Sequence, residues 1–158
     1  MKTARAPAPL ARLPGARLLA VVAPYYGTVA AMLCAGAERA VREVEARLER
    51  LDVPGAFEIP AAIALAARAG GFDGFVALGC VVRGETSHYD YVCGESARGL
   101  MDLSIQEGLA IGYGILTVEN IAQAEQRADP ARGDKGGEAA SAAMAMIALR
   151  RRFEEGAR

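Results

Sequence analysis

One stretch of the sequence decides the fold: Phe75-Val76-Ala77-Leu78-Gly79-Cys80-Val81-Val82-Arg83-Gly84-Glu85-Thr86-Ser87-His88-Tyr89-Asp90. Its first half is a nearly continuous apolar run, which is the pattern of a strand buried on both faces. The run breaks at Arg83-Gly84, and Thr86 and Ser87 are residue types that favour the N-cap of a helix entered at His88. A strand that enters a helix through a short glycine-containing turn leaves backbone N–H groups unpaired beyond its end. We therefore predict an anion site at this turn.

Polar side chains of three kinds accompany these N–H groups, namely the cation of Arg83, the hydroxyls of Thr86 and Ser87, and the only imidazole of the chain, His88. Open α/β sheets bind their ligands at this end of the strands, which favours a catalytic role for the histidine. A lone histidine at the start of a helix is nevertheless more often a partly exposed surface residue. The turn is also an ordinary capping sequence, so the residues alone leave both interpretations open.

Length and composition predict a single domain over residues 16–158, preceded by a flexible segment over residues 1–15. The 18 basic and 19 acidic side chains give a net charge of -1, which does not favour a nucleic-acid or membrane partner. The hydrophobic fraction of 53% is high for a chain of 158 residues. We therefore expect a homo-oligomer that buries part of this apolar surface.

The cysteines and the apolar runs indicate where the protein works. Cys34, Cys80 and Cys93 are odd in number and lack the spacing of a metal site, which predicts reduced thiols in a cytoplasmic protein. We interpret Cys80 as a buried apolar thiol and not as a nucleophile. The apolar runs break before membrane-spanning length, and no signal-peptide pattern is present.

Strand-like and helix-like segments alternate four times, and a fifth helix follows. The strands are expected at 18–23, 47–53, 75–82 and 111–116, and the helices after Thr28, at 60–69, at 88–107, after Thr117 and at 138–153, with both threonines as N-caps. Residues 43–51 have helical propensity and could continue the preceding helix. Because a parallel sheet needs a second strand here, we instead predict that the helix ends in a turn near Glu45 and that the strand at 47–53 follows. The alternation predicts a flavodoxin-like α/β sandwich of three layers, with a four-stranded parallel sheet and helices on both faces.

This topology brings four loops to one edge of the sheet: 24–27, 55–58, 83–88 and the end of the last strand at Thr117. The edge would carry an aromatic wall of Tyr25, Tyr26, Phe57 and Tyr113 beside the anion site and the imidazole. A planar ring and a phosphorylated small molecule, joined or cleaved by proton transfer, fit that set of groups.

Several other chemistries are disfavoured by the motifs. The sequence has neither a phosphate-binding loop of the Walker type nor a G-x-G-x-x-G after its first strand. One histidine with scattered acids cannot form a usual zinc site. Ser87 adjoins His88 in the chain, which is poor geometry for a nucleophile and its base.

Three motifs in order give the chain a resemblance to a known family. They are Val53-Pro54-Gly55-Ala56-Phe57-Glu58-Ile59-Pro60, then Gly79 to Asp90, then Gly114-Ile115-Leu116-Thr117-Val118-Glu119-Asn120, followed by Gln123, Arg127 and Lys135-Gly136. From about residue 18 to residue 153 the chain resembles 6,7-dimethyl-8-ribityllumazine synthase. The resemblance implies a transferase that condenses 5-amino-6-(D-ribitylamino)uracil with 3,4-dihydroxy-2-butanone 4-phosphate, in the penultimate step of riboflavin biosynthesis. Phosphate and water are released, and neither a metal nor an organic cofactor is needed.

The resemblance also implies roles for individual residues. His88 matches the proton-transferring histidine, and Arg127 matches the arginine that binds phosphate. Tyr25 stands where the family usually has Phe or Trp against the uracil, and Tyr113 stands where an adjoining subunit covers the pyrimidine. The remaining matches bind the ribityl chain and ring (Ala56, Phe57, Glu58), the uracil (Cys80, Val81, Val82) and the phosphate (Gly84, Glu85, Thr86, Lys135).

Two other functions remain open from the sequence. One is a flavin carrier, because flavins and the substrates share a ring shape; the other is a related protein kept for binding or assembly, with weakened catalysis. Phe57 and Tyr25 also suit a core, and Arg127 also suits a solvated helix face. The presence of His88 and Arg127 favours the enzyme. The resemblance implies a pentamer or an assembly of pentamers, without deciding between a pentamer, a decamer and an icosahedral shell.

Overall fold

The structure is a computed structural model that describes residues 9–157. Its strands are β1 (Arg17–Val22), β2 (Arg47–Asp52), β3 (Gly74–Val82) and β4 (Ile111–Val118). Its helices are α1 (Gly27–Glu43), α2 (Ile59–Ala69), α3 (His88–Gln106), α4 (Ile121–Ala128) and α5 (Lys135–Gly156), and a 3-10 turn (Ala56–Glu58) precedes α2. The predicted alternation of strands and helices is confirmed, including the ambiguous strand β2.

The four strands form one parallel sheet in the order β2-β1-β3-β4. The central strand β3 is buried through Cys80, because helices cover both faces of the sheet. Its side chains alternate between two cores: Val76 and Leu78 lie with α1, α4 and α5, whereas Phe75 and Ala77 lie with α2 and α3. This arrangement confirms the predicted three-layer flavodoxin-like sandwich, whose carboxyl strand ends share one edge.

Helix α5 approaches its neighbours through glycines. A Cβ at Gly136 would overlap the carbonyl group of Leu33 on α1, and a Cβ at Gly112 on β4 would overlap the carbonyl group of Ala139 on α5. Backbones can meet this closely only where side chains are absent. The start of α5 is therefore fixed against both α1 and β4.

Three predicted helix starts are wrong. Helix α1 begins at Gly27, because Tyr26 already accepts the first helical hydrogen bond from Ala30 N–H at 2.9 Å. Thr117 does not cap a helix, because β4 continues to Val118 in register with β3, and Asn120 caps α4 by accepting from Gln123 N–H at 3.0 Å.

The last helix begins before the predicted Glu138 and ends after Phe153. Asp134 caps it in the left-handed conformation (φ 47°), accepts from Gly137 N–H at 3.3 Å and pairs with Arg39 at 2.6 Å. Gly136 and Gly137 precede the predicted start of the helix but are helical, because Gly136 fits against Leu33 of α1 and Gly137 N–H donates to Asp134.

The predicted flexible segment, residues 1–15, begins in the part of the chain that lies outside the described residues. Within the described part, Leu13 is 4% exposed and its N–H donates to Val44 O at 2.8 Å. This residue therefore packs against the domain. Among residues 9–157, none of the helices has the length and apolar character needed to cross a membrane.

Candidate active site

A cleft of about 790 Å³ opens at the carboxyl edge of the sheet, between the 3-10 turn and the start of α3. Its lining includes eight of the residues that the sequence assigned to substrate: Tyr25, Ala56, Phe57, Glu58, Cys80, Val81, Val82 and His88. These residues come from the loop after β1, the 3-10 turn, the end of β3 and the start of α3, which are separated by up to about sixty positions in the chain. The parallel strands bring them together, as the topology predicts.

Aromatic rings form the outer wall of the cleft. Tyr25 is 77% exposed and Phe57 is 56% exposed, so neither ring is a core residue. Tyr25 meets Tyr26 edge to face, with ring centroids 5.0 Å apart and planes at 71°. Exposed rings that line a concavity offer a stacking surface to a planar ligand.

The floor of the cleft is the end of β3. Cys80 is buried, and burial raises the pKa of its thiol to about 11, with a further contribution from the nearby Cys93. A thiol that stays protonated at neutral pH is not a nucleophile, which agrees with the interpretation of Cys80 as an apolar residue. Val81 and Val82 are half-buried beside it. The floor therefore presents mainly backbone and apolar groups to a ligand.

The loop between β3 and α3 presents unpaired donors. Within the described part of the chain, the backbone N–H groups of Gly84, Glu85, Thr86 and Ser87 have no hydrogen-bond partner. A Cβ at Gly84 would meet nothing within 4 Å, so the backbone is open to a ligand. Consecutive free N–H groups at the start of a 19-residue helix attract an anion. His88 begins that helix and lines the adjoining cleft.

One expectation for this loop is confirmed and another is wrong. Helix α3 begins at His88 with Ser87 at its N-cap, although the Ser87 side chain makes no capping hydrogen bond and Thr86 Oγ1 lies 3.4 Å from His88 N. Arg83 does not place its cation among the free N–H groups. Its Nε instead lies 3.0 and 3.1 Å from the two carboxylate oxygens of Glu119.

Six of the predicted residues do not line this cleft. Gly84, Glu85 and Thr86 belong to the adjoining loop, and the other three, Tyr113, Arg127 and Lys135, lie elsewhere on the chain. Tyr113 lies on β4 and is 49% exposed, and burial of its hydroxyl end, with Cys93 and Tyr89 nearby, raises its pKa. Arg127, in the last turn of α4, is exposed and its Nη1 donates to Gln123 O at 3.3 Å. Lys135 starts α5 and pairs with Glu138 at 2.6 Å. The cleft therefore lacks this part of the predicted site.

Six lining residues were not predicted as substrate contacts: Tyr26, Pro54, Gly55, Tyr91, Val92 and Glu95. The last three follow His88 at three, four and seven positions along α3. Residues at that spacing lie on the same face of the helix as the histidine, so helical periodicity could have predicted that they line the cleft. Tyr26 and Gly55 lie in loops that the topology places at this edge, 24–27 and 55–58, and Pro54 adjoins the second loop. The structure shows that all three line the cleft.

The fold and the cleft define a class, an α/β protein with an open cleft and a row of unpaired N–H groups at the carboxyl edge of a parallel sheet. Comparison with known proteins narrows this class. Residues 15–151 match the family model of 6,7-dimethyl-8-ribityllumazine synthase. The chain is 56% identical over 138 residues to the 6,7-dimethyl-8-ribityllumazine synthase of Novosphingobium aromaticivorans, covering 87% of this chain and 99% of that protein.

A second relative of the same name, from Methylobacterium radiotolerans, is 55% identical over 146 residues, covering 92% of this chain and 88% of that protein. A third relative of the same name, from Erythrobacter litoralis, is 56% identical over 138 residues, covering 87% of this chain and 98% of that protein. The chain belongs to the 6,7-dimethyl-8-ribityllumazine synthase family, whose members are transferases of riboflavin biosynthesis.

Proposed function

We propose that this chain condenses 5-amino-6-(D-ribitylamino)uracil with 3,4-dihydroxy-2-butanone 4-phosphate, forming 6,7-dimethyl-8-ribityllumazine, phosphate and water. The observation that carries the proposal is the position of His88. It stands between an aromatic-walled cleft and a row of four unpaired N–H groups. A ring and a phosphate bound on either side of the imidazole would meet beside it.

The pyrimidine occupies the cleft in this proposal. Its ring stacks on the exposed ring of Tyr25, and its polar edge meets the backbone of Cys80, Val81 and Val82. The ribityl chain lies along the loop of Ala56, Phe57 and Glu58, where the Glu58 carboxylate is exposed and can accept hydrogen bonds from hydroxyl groups. Apolar walls with a few placed polar groups are typical of small-molecule sites.

The phosphate binds to the free N–H groups of Gly84, Glu85 and Thr86 at the start of α3. This position holds the carbon chain of the butanone near the imidazole of His88. An imidazole has one nitrogen that can accept a proton and one that can donate a proton, so this side chain can both accept and return a proton during condensation and loss of phosphate. His88 is then the proton-transfer residue, and the reaction uses neither a metal nor an organic cofactor.

In this proposal, the remaining substrate-binding residues come from a neighbouring copy of the chain. Tyr113, Arg127 and Lys135 lie away from the cleft of their own chain, and all three are accessible to solvent. We propose a homopentamer, alone or within a larger assembly, in which these residues cover the pyrimidine and bind the phosphate of the next subunit. Identical head-to-tail contacts give one complete site at each interface.

The protein works in the cytoplasm in this proposal, with the two small molecules as its only substrates and with no nucleic-acid or membrane partner. Its thiols, Cys34, Cys80 and Cys93, are free in the structure. Free thiols suit a reducing compartment.

The direct test is to incubate the purified protein with both substrates and follow the lumazine by absorbance and mass. Product formation well above the uncatalysed rate supports the function. Background turnover would contradict it, and a protein that also purifies with bound flavin would indicate a flavin carrier in its place. A solution mass measurement tests the pentamer, and a monomer mass would exclude it.

A further inference from the structure

Arg83 contacts groups from the start of α3, from the end of β4 and from the turn that follows β4. Its Nε donates to Glu119 at 3.0 and 3.1 Å, and its Nη1 lies 3.5 Å from Asp90 Oδ1. The centre of the guanidinium lies 4.2 Å from the ring centroid of Tyr89, and its backbone N–H donates to Val118 O at 2.9 Å. Two carboxylates and an aromatic face therefore satisfy a cation that the sequence suggested for the anion site.

These contacts close both ends of the loop that carries the free N–H groups. Arg83 precedes Gly84, whereas Tyr89 and Asp90 lie in the first turn of α3, just after Ser87. The guanidinium thus joins the residue before the loop to residues after it. The loop itself has open space around Gly84. Among the described residues, the only side-chain hydrogen bond within the loop is the one that Thr86 Oγ1 accepts from His88 N–H.

The position of Glu119 is fixed in turn by the start of α4. Its backbone N–H donates to Gln123 Oε1 at 2.9 Å, and Gln123 N–H donates to Asn120 Oδ1 at 3.0 Å. The hydrogen bonds at the N-terminus of α4 therefore hold the backbone of Glu119, whose carboxylate pairs with Arg83. Because the ion pairs are about half exposed (43% for Arg83 and 57% for Glu119), their contribution to stability is small, and their effect is mainly on geometry.

We propose that Arg83 is a positioning residue, which holds the phosphate-binding loop and His88 in place through Glu119 and does not bind the phosphate. The inference rests on the proposed function, because it assigns a role for that same site. Moving the guanidinium to the phosphate would leave Glu119 and Asp90 unpaired next to an incoming anion, which like-charge repulsion opposes. Glu119 therefore acts with Arg83 as one unit.

The test is a double-mutant cycle on turnover, with the variants Arg83→Gln, Glu119→Gln and the two together. We expect each single variant to lower kcat/KM for the butanone phosphate about tenfold, and the double variant to be no worse than either single one. KM for the pyrimidine should not change. Independent effects would give about a hundredfold loss in the double variant and would overturn the proposal.

A direct phosphate contact predicts a different pattern, in which Arg83→Gln raises only KM for the butanone phosphate and Glu119→Gln has no effect or improves binding. That result would also overturn the proposal. The matched control is Arg17→Gln at the opposite edge of the sheet. Arg17 pairs with Glu49 at 2.6 Å and lies 5.0 Å from the ring of Phe72, with similar exposure, but it supports no loop of the site.

We expect Arg17→Gln to retain wild-type kinetics. An equal loss in this control would show that the Arg83 effect is a general consequence of removing an exposed ion pair, and would contradict the positioning role. Failure of the proposed function is distinguishable, because wild-type protein would then give no turnover. If the wild-type protein is active but Arg83→Gln and Glu119→Gln lower kcat/KM independently, only the role of Arg83 is contradicted.

Discussion

The residues assigned to substrate lie in two regions that differ in shape. Around His88, three loops enclose a cleft of about 790 Å³ whose lining includes Tyr25 and Phe57. Around Arg127 and Lys135, the surface of the same chain offers side chains that point to solvent and line no part of that cleft. In the proposed pentamer, the first region binds the substrates and the second region completes the site of the neighbouring subunit. The proposal therefore assigns half of each active site to each of two chains.

The two regions also differ in backbone packing. In the cleft region, a Cβ at Gly84 would have no neighbour within 4 Å, because the loop faces open space. In the second region, Gly136 touches the backbone of Leu33, and a Cβ at Gly133 would lie 2.7 Å from the Cα of Arg127. Close backbone contact fixes the positions of Arg127 and Lys135, whereas the loop before His88 leaves its N–H groups free for a ligand.

The largest expected effect is in the cleft region. His88→Ala should lower kcat by about 10²-fold, because acid–base help is lost, with smaller changes in the KM of either substrate. Steady-state kinetics with both substrates measures this, after subtraction of the uncatalysed rate. An unchanged kcat would show that His88 does not transfer the proton. Glu95→Gln, on the same helix face, is the control for effects that any substitution in the cleft lining would have.

The next largest effect tests the second region. Arg127→Ala should raise KM for the butanone phosphate by about 10- to 100-fold, since a charge-assisted contact contributes about 1.5–3 kcal/mol. KM for the pyrimidine should be nearly constant. Equal effects on both substrates would indicate that Arg127 has a structural role, and Arg132→Ala, another exposed arginine near the same turn, serves as the matched control.

A matched pair of glycine variants tests the difference in packing. Gly136→Ala should destabilise the protein by about 1–3 kcal/mol, because the new methyl group overlaps Leu33. Gly84→Ala should change the free energy of unfolding by less than about 0.5 kcal/mol, yet weaken binding of the butanone phosphate. Urea unfolding measures both, and similar destabilisation by the two substitutions would contradict the account of the packing.

The smallest effect concerns the buried thiol on the floor of the cleft. The folded pKa of Cys80, about 11, lies above the ordinary value of 9.0, so the unfolded chain releases this proton first. The resulting stabilisation is present below pH 9 and is lost as pH rises through 11. Wild-type protein should therefore lose about 1 kcal/mol more than Cys80→Ala between pH 9 and pH 10.5, measured by urea unfolding. Parallel pH profiles would show that the thiol ionises equally in both states.

The sequence and the structure agree best where a signal is local. The apolar run before Arg83 and the change to helical spacing after His88 defined β3 and α3 without tertiary information. Strand β2 was different, because its residues are exposed or half-buried and carry no apolar pattern. Only the need of a parallel sheet for another strand identified it.

The errors arise where distant residues decide the local structure. Asp134 starts α5 because Arg39 pairs with it and because Gly136 fits against α1, and neither contact is visible from the neighbouring sequence. Arg83 turns away from the loop because Glu119, thirty-six positions later, provides its carboxylate. The proposal that Arg127 serves the site of a second chain does not follow from spacing alone, since it also depends on which residues line the cleft.

The proposal that one active site needs residues from two chains is tested by mixing two impaired variants and measuring activity at a butanone phosphate concentration well below the KM of the Arg127→Ala protein. His88→Ala and Arg127→Ala proteins are unfolded, combined in equal amounts and refolded together, with each variant and the wild type refolded alone as controls. In a randomly mixed ring, about a quarter of the interfaces carry both intact residues. If the two residues come from different chains, the mixed protein should recover about that fraction of wild-type activity. If mixing restores nothing while the wild type recovers, both residues act within one chain and the claim is contradicted.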